Sequence, residues 1–361
     1  MFAFTQADHK KIIAQILQKW EQLELPPVEK GKFGFKLLPF RRGGQHSLIN
    51  FMILSQNQPV LVVKVPRFKE GDLAFVAIEN EARMLQYLSE QNILSGHAPK
   101  QDKLLRIENV PVLLTKAYQG QMLHSILDQE EDLIKLQEHL LSGAELLVLM
   151  QNKKQKKEIT VDKDFINNYI LEPLKLITKH YPQHIKKIES LITAALENKN
   201  IAGAKLPLVC FHREFNPWNI LKEANGNLIV FDWEDAATEG LPLLDLYNYF
   251  IVSFRILIAG ETEIAKKRVV AEKKKRLEAL LDTYRQAVDK YCKTLKVAPE
   301  LKDFLFLIFA INATSFFLEE KRQEIDYSRH WLSLLLNFSA PNCFENQIKL
   351  EFARHCGKAK N

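Results

Sequence analysis

The feature that most constrains this chain is a change of hydrophobic period. FGFKLLPFRR (33–42), HSLINFMILS (46–55) and VLVVKVPR (60–67) are short, apolar and β-rich, separated by Gly43-Gly44 and by residues 56–59. Runs this short with connections this tight pair as an antiparallel meander. Residues 74–95 return to helical spacing, and KLLRIENV with PVLLTKAY (103–118) supplies two further strands. The first third reads β-β-β-α-β-β. The remainder is mainly helical, over 121–150, 163–199, 242–258, 262–295, 299–320 and 325–338. Strands gathered at one end and helices at the other make an α+β chain. Its 361 residues suffice for two lobes. Their boundary is expected near Gln119-Gly120, giving 1–118 and 119–361. A leading helix is expected over 8–25, with Ile12, Ile13, Ile16, Leu17 and Trp20 on one side.

Composition narrows the setting. With 47% hydrophobic and 26% charged residues the balance is that of a soluble globular protein. FLFLIFAINATSFFL (304–318) is shorter than a membrane span and carries Asn312, Thr314 and Ser315, so a buried core helix is expected, with no membrane span. MFAFTQADHKK lacks the layout of a signal peptide. Cys210, Cys292, Cys343 and Cys356 form no C-x-x-C pair, which fits reduced thiols in a cytoplasm. Net charge is +6, with lysine-rich stretches at 153–157 and 266–276. No aromatics interleave with them, so they read as solvated faces and no nucleic-acid partner is expected.

One β-rich island, 207–233, interrupts the helical part. It holds FHREFNPWNIL, in which His212, Glu214 and Asn219 stand at spacing H-x-E-x-x-x-x-N. Pro217 breaks any helix there. NILKEANGNLIVFDW follows as a hairpin, with arms Asn219–Lys222 and Leu228–Asp232, and Asn225-Gly226 is expected to form a two-residue type I′ turn. The outer ends of a hairpin lie side by side, so Asn219 is expected close to Asp232, with Glu214 just upstream. Three oxygen-bearing side chains at one end of an apolar ribbon suit Mg²⁺. His212 is expected to be a core histidine that props the loop.

Lys64 is a second anomaly, a charge in the middle of an apolar strand on the face of Val60 and Val62. An isolated buried ammonium is costly. In the next helix Ile78, Glu81 and Leu85 share a side, so Glu81 is misplaced on the apolar face while Glu79 is displaced from it. A Lys64–Glu81 pair satisfies both. Gly43 and Gly44 sit just ahead of this strand, where glycine lets a backbone approach phosphates closely.

A glycine turn, a strand lysine, a helix glutamate, an H-x-acid-x-x-x-x-N loop and a hairpin ending in aspartate together resemble the protein-kinase-like fold, and most closely its aminoglycoside phosphotransferase and choline kinase branch. HREFNPWNIL is similar to the branch pattern H-G-D-F-x-P-x-N-[IL]-L, and VFDWEDAATEGLPLLDL to I-D-W-E-x-A-x-x-G-x-P-x-x-D-L. The resemblance covers roughly residues 33–255. It implies a bilobal fold, with a small antiparallel-sheet lobe carrying one key helix and a larger mainly helical lobe. It implies ATP, or another nucleoside triphosphate, bound with Mg²⁺ between the lobes, and a small-molecule hydroxyl as acceptor. In that pattern Lys64 holds the α- and β-phosphates and Glu81 orients it. Asn219 and Asp232 hold Mg²⁺. Main-chain groups of Leu114 to Tyr118, Thr115 and Ala117 among them, receive the adenine. Asp245 braces the catalytic loop, and Glu214 stands where the branch has its catalytic aspartate. Arg213 stands where the branch has glycine. Glutamate keeps the charge but shifts the carboxylate by roughly 1.5 Å. A nucleotide-binding pseudokinase acting through protein contacts is therefore the alternative expectation to a small-molecule kinase. The acids at 234, 235 and 239 would attract a cationic acceptor.

Overall fold

The computed structural model describes residues 6–23, 25, 33–38, 48–67, 72–152, 157–319 and 325–357. The chain divides into two compact units: Met1–Gly120 with Lys222–Ala236, and Gln121–Leu221 with Ala237–Asn361.

The first unit is built on a five-stranded antiparallel sheet. Its strands are β1 (Phe33–Leu37), β2 (Leu48–Ser55), β3 (Gln58–Pro66), β4 (Gln101–Ile107) and β5 (Val110–Lys116), in the order β1-β2-β3-β5-β4. Two-residue turns link β2 to β3 and β4 to β5. Both central residues take positive φ, Gln56 with Asn57 and Glu108 with Asn109, the geometry that matches strand twist. Alternation then sorts the side chains. Phe51, Ile53, Leu61, Val63, Val65, Val112 and Leu114 form one apolar face. Helix α1 (Gln6–Gln18) and the turn after it lay Ile12, Ile13, Ile16 and Trp20 on that face. The leading helix is thus part of the sheet's core. Helix α2 (Asp72–Glu90) buries Ala74, Ile78, Ala82 and Leu85 and serves the other face, toward which Lys64 points.

Segment 222–236 joins this unit, whereas the sequence placed it with the helices. Several of the links end on main-chain carbonyls. Val230 N–H donates to the His97 carbonyl at 2.8 Å, His97 Nδ1 lies 2.9 Å from the Leu228 carbonyl, and Asn227 Nδ2 donates to the Gly96 carbonyl at 2.8 Å. The turn within the segment also departs from expectation. Gly226 N–H donates to the Glu223 carbonyl and Glu223 N–H to the Asn227 carbonyl, and Gly226, not Asn225, takes positive φ, at +87°. The result is a three-residue connection closed by a left-handed glycine. Its strands are Ile220–Lys222 and Leu228–Val230, shorter than the expected arms.

The second unit is mainly helical. The expected helix 121–150 is two helices, α3 (Leu123–Gln129) and α4 (Leu133–Gln151), because Asp132 caps the second by accepting the N–H groups of Ile134 and Lys135. The expected helix 163–199 is interrupted at Pro182, between Glu172–His180 and Ile185–Leu196. Strands Glu158–Thr160 and Lys205–Pro207 pair, as do Val209–Phe211 and Ala237–Gly240. Helix Leu244–Ala259 is buried almost all round. Pro299–Leu318 is long and apolar enough to cross a membrane, but 67% of its apolar window is buried inside the protein. A helix the sequence did not announce, Cys343–Gly357, stacks Phe344 on Tyr284 with ring centroids 3.9 Å apart.

Candidate active site

In the first unit, Val63 and Val65 fill the α1 side of the sheet, so strand alternation turns Lys64 to the opposite face. There its Nζ lies 2.8 and 2.7 Å from the two carboxylate oxygens of Glu81 and 3.3 Å from Asp232 Oδ1. Glu81 is 1% exposed and Lys64 8%. Glu79, two residues earlier and so on the far side of the helix, faces outward and pairs with Arg106. Burial opposes a charge on Lys64, but the carboxylates of Glu81, Asp232 and Glu234 outweigh it and hold the amine above its ordinary pKa, as an ammonium. Burial lifts the Glu81 carboxyl above its ordinary value, Lys64 draws it back, and Asp232 adds to the rise.

Asp232 follows strand Leu228–Val230 with φ at +68°, a left-handed conformation that costs a non-glycine residue about 1–2 kcal/mol. Trp233, fully buried, donates its Nε1–H to the Val230 carbonyl at 2.9 Å and anchors the segment just beyond it. One carboxylate oxygen each from Glu81, Asp232 and Glu234 lie within 4.8 Å of one another. Three carboxylates facing one ammonium, all with hard oxygen donors, fit a divalent cation such as Mg²⁺. Glu81 is bound through both oxygens by Lys64, so Asp232 and Glu234 are the fitting ligands in this unit.

In the second unit the quoted loop turns sharply. His212 is fully buried, its ring edge-on to Phe215 at 6.1 Å. Pro217–Asn219 is a single 3₁₀ turn, capped by Asn216. The carbonyl of Glu214 accepts from Asn216 Nδ2 at 2.9 Å and from Asn219 Nδ2 at 3.0 Å. Asn219 thus turns its amide nitrogen to the loop, and its carboxamide oxygen is the atom suited to a cation. Asp245, 1% exposed at the start of helix Leu244–Ala259, accepts the His212 N–H at 2.8 Å and Gln151 Nε2 at 3.1 Å. Burial pushes its carboxyl up to about 7, opposed by the N–H groups of His212 and Arg213 and by the Arg213 charge.

Of the other expected residues, Thr115 is buried in register with Val62, and the Ala117 N–H donates to the Val60 carbonyl at 3.3 Å. Gly43 and Gly44 lie outside the described residues. Glu239 pairs with Lys157 at 2.6 Å. Sequence reasoning missed Gln151 and Tyr291, which back Asp245: Tyr291 donates to Gln151 Oε1 and accepts the Leu243 N–H. It also missed Asn80, whose side chain donates to the carbonyls of Glu234 and Ala236. A lone polar residue on a helix gives no local signal of such a role.

Sheet, buried lysine–glutamate pair and helical remainder define a protein-kinase-like α+β fold. The sequence matches the phosphotransferase enzyme family over residues 38–265. The chain belongs to that family and is a small-molecule phosphotransferase. Among solved structures it is similar to the streptomycin–ATP–APH(2")-IIa ternary complex, at 13% identity and TM-score 0.50, covering 92% of this chain and 97% of that one. It is similar to a glucosamine kinase at 13% identity and TM-score 0.50, covering 90% of this chain and 83% of that one. At these identities the likeness is one of fold. A comparison with curated proteins finds no match.

Proposed function

We propose that the protein moves the γ-phosphate of ATP to a hydroxyl of a small metabolite: a sugar, an amino alcohol or an aminoglycoside-like molecule. The observation that carries this reading is Lys64, held by Glu81 and in contact with Asp232, in a chain of a phosphotransferase family. One structure of similar fold contains ATP with streptomycin, and another is a glucosamine kinase.

Lys64 binds the α- and β-phosphates as a fixed positive charge, kept ammonium and aimed by Glu81. Asp232 and Asn219 supply oxygen ligands to the cation, and Glu234 is suited to join them. Bound Mg²⁺ neutralises phosphate charge. Main-chain groups of Leu114 to Tyr118 meet the adenine; within that stretch the N–H groups of Lys116 and Ala117 also donate to the carbonyls of Lys100 and Val60. Gly43 and Gly44 allow close backbone approach to the phosphates. Glu214 accepts the proton of the acceptor hydroxyl. The hydroxyl oxygen forms a bond to the γ-phosphorus as the bond to the β-phosphate oxygen breaks, releasing ADP and the phosphate ester. Asp245 holds the loop that presents Glu214.

Purified protein is incubated with ATP, Mg²⁺ and a panel of hydroxyl metabolites, and products are read by mass spectrometry. A new phosphate monoester with matching ADP release supports the reading. Nucleotide binding without any product across the panel favours the pseudokinase alternative, which rests on Glu214 standing for aspartate. Glu214→Ala and Glu214→Asp separate the two: transfer by wild type lost in the alanine variant supports the kinase, and transfer by the aspartate variant alone supports the alternative.

A further inference from the structure

The segment that carries Asp232 and Glu234 is gripped from helix α2 at two consecutive residues. Glu81 takes the main-chain N–H of Trp233. Asn80, beside it, donates through Nδ2 to two carbonyls, that of Glu234 at 2.7 Å and that of Ala236 at 3.0 Å. A carboxamide nitrogen has two hydrogens, and both are used here. Its orientation is fixed from the other end, because Arg83 donates to Asn80 Oδ1 at 2.5 Å. Only that orientation presents the donor to the carbonyls.

The grip has a reason in the backbone. Asp232 holds φ at +68°, a conformation that persists in a non-glycine residue when its surroundings over-determine it. Upstream, the indole of Trp233 ties the segment to Val230. Downstream, Asn80 is the tie. Without it, Glu234 and the residues beyond lose two hydrogen bonds to α2. Glu81 also grips Lys64. Two adjacent residues of α2 therefore set both the cation that would meet the nucleotide and the acids that would meet the metal.

We propose that Asn80 is a positioning residue for the divalent-cation site, acting through the main chain of Glu234 and Ala236 to hold the Asp232 and Glu234 carboxylates in register with Lys64. This rests on the phosphotransferase reading above. It assigns to Asn80 the Mg²⁺ dependence of nucleotide binding, with no contact to nucleotide or acceptor.

The test uses the full chain with ATP as the probe. Binding is measured by calorimetry across a Mg²⁺ series for wild type, Asn80→Leu and Asn80→Ala. Leucine keeps the γ-branched shape of asparagine without its donors but is bulkier, and alanine removes the side chain should leucine disturb packing. The Mg²⁺ concentration for half-maximal ATP binding is expected to rise about tenfold in both variants, while ATP binding without Mg²⁺ changes less than about twofold. Hydrogen exchange of the 232–237 amides is expected to quicken about tenfold, with β3 unchanged. Wild-type Mg²⁺ dependence in both variants, or equal losses with and without Mg²⁺, overturns the proposal and leaves Asn80 a structural tie. If wild type itself binds no Mg·ATP, the phosphotransferase reading fails, and the role of Asn80 falls with it.

Discussion

Replacing Lys64 by methionine isolates what the buried pair does. Methionine keeps an unbranched apolar stem of similar length and removes the ammonium. Glu81, 1% exposed, is then a carboxylate without its bidentate partner. Removing one member of a buried pair typically costs about 3–5 kcal/mol. A second route gives the same scale. The stranded carboxyl escapes by taking up a proton, while the unfolded chain keeps it ionised with a pKa near 4.3. At about 1.4 kcal/mol per pH unit, holding that proton costs about 4 kcal/mol at pH 7 and about 1 kcal/mol at pH 5. The sign follows: the folded variant binds a proton that the unfolded chain lacks, so its deficit grows as pH rises. Adding Glu81→Leu removes the second charge and should restore stability to within about 1 kcal/mol of wild type, because apolar substitutes for a buried ion pair are often neutral. Urea denaturation at pH 5 and pH 7 reads all three chains. A deficit for Lys64→Met that is equal at the two pH values, or below about 1 kcal/mol at pH 7, refutes the reasoning. The double variant should remain folded yet fail to bind Mg·ATP, which separates the pair's function from its contribution to the fold.

Other consequences are as direct. Asp245 is raised to about 7, so between pH 4 and pH 7 the folded protein keeps a proton that the unfolded chain has released; its contribution to stability is full below pH 4, falls steadily across that range and is gone above pH 7. Asp245→Asn does not titrate, so its stability relative to wild type should improve by about 2–3 kcal/mol between pH 5 and pH 8 in urea denaturation; a constant offset contradicts the raised value. A Cβ at Gly143 would lie 2.7 Å from Cζ of the buried Tyr249, so Gly143→Ala should lower the urea midpoint by the equivalent of about 1–3 kcal/mol. Glu214→Ala should lower kcat by at least about 10²-fold with little change in ATP affinity, since its task is alignment of the acceptor; unchanged kcat excludes it from the reaction.

The residues legible in the sequence were those that broke a local pattern. Lys64 interrupts a run of valines and Glu81 sits on an apolar helix stripe, and each anomaly predicts the other. Strand alternation and tight turns likewise announced the five-stranded sheet. The rest was hidden for identifiable reasons. Asn225-Gly226 has the letters of a two-residue turn, but a type I turn followed by a left-handed glycine uses the same pair, and register decides between them. The union of 222–236 with the first unit rests in part on carbonyls of Gly96 and His97, which every residue possesses and no letter advertises, beside side-chain contacts of His97, Asn80 and Lys64. Helix Cys343–Gly357 buries Cys343, Phe344, Gln347 and Ile348, a stripe too short and too polar to stand out. Asn80, Gln151 and Tyr291 act on the main chain or on one another, so their letters look like ordinary helix polarity.

The tripeptide His212 to Glu214, proposed above as catalytic, departs twice from the pattern it resembles, and the two departures are not equivalent. Arg213 has φ at +68°, the left-handed region that glycine, the residue of the family pattern, enters freely. The arginine therefore leaves the main chain on a course glycine would also take, at a strain of about 1–2 kcal/mol. Its guanidinium lies over the rings of Phe211 and Phe316, at 5.9 and 5.6 Å from their centroids, and its charge faces Asp245. Contacts of that kind return about 0.5–1 kcal/mol each, enough to offset the strain. Arg213→Gly should accordingly change stability by less than about 1 kcal/mol and leave ATP affinity and kcat within a fewfold of wild type. With the backbone thus accounted for, the departure that bears on the proposed catalysis is a single methylene at Glu214. A large loss of transfer in Arg213→Gly would instead mean that the arginine supports the chemistry, and the two changes in the tripeptide would have to be read as one.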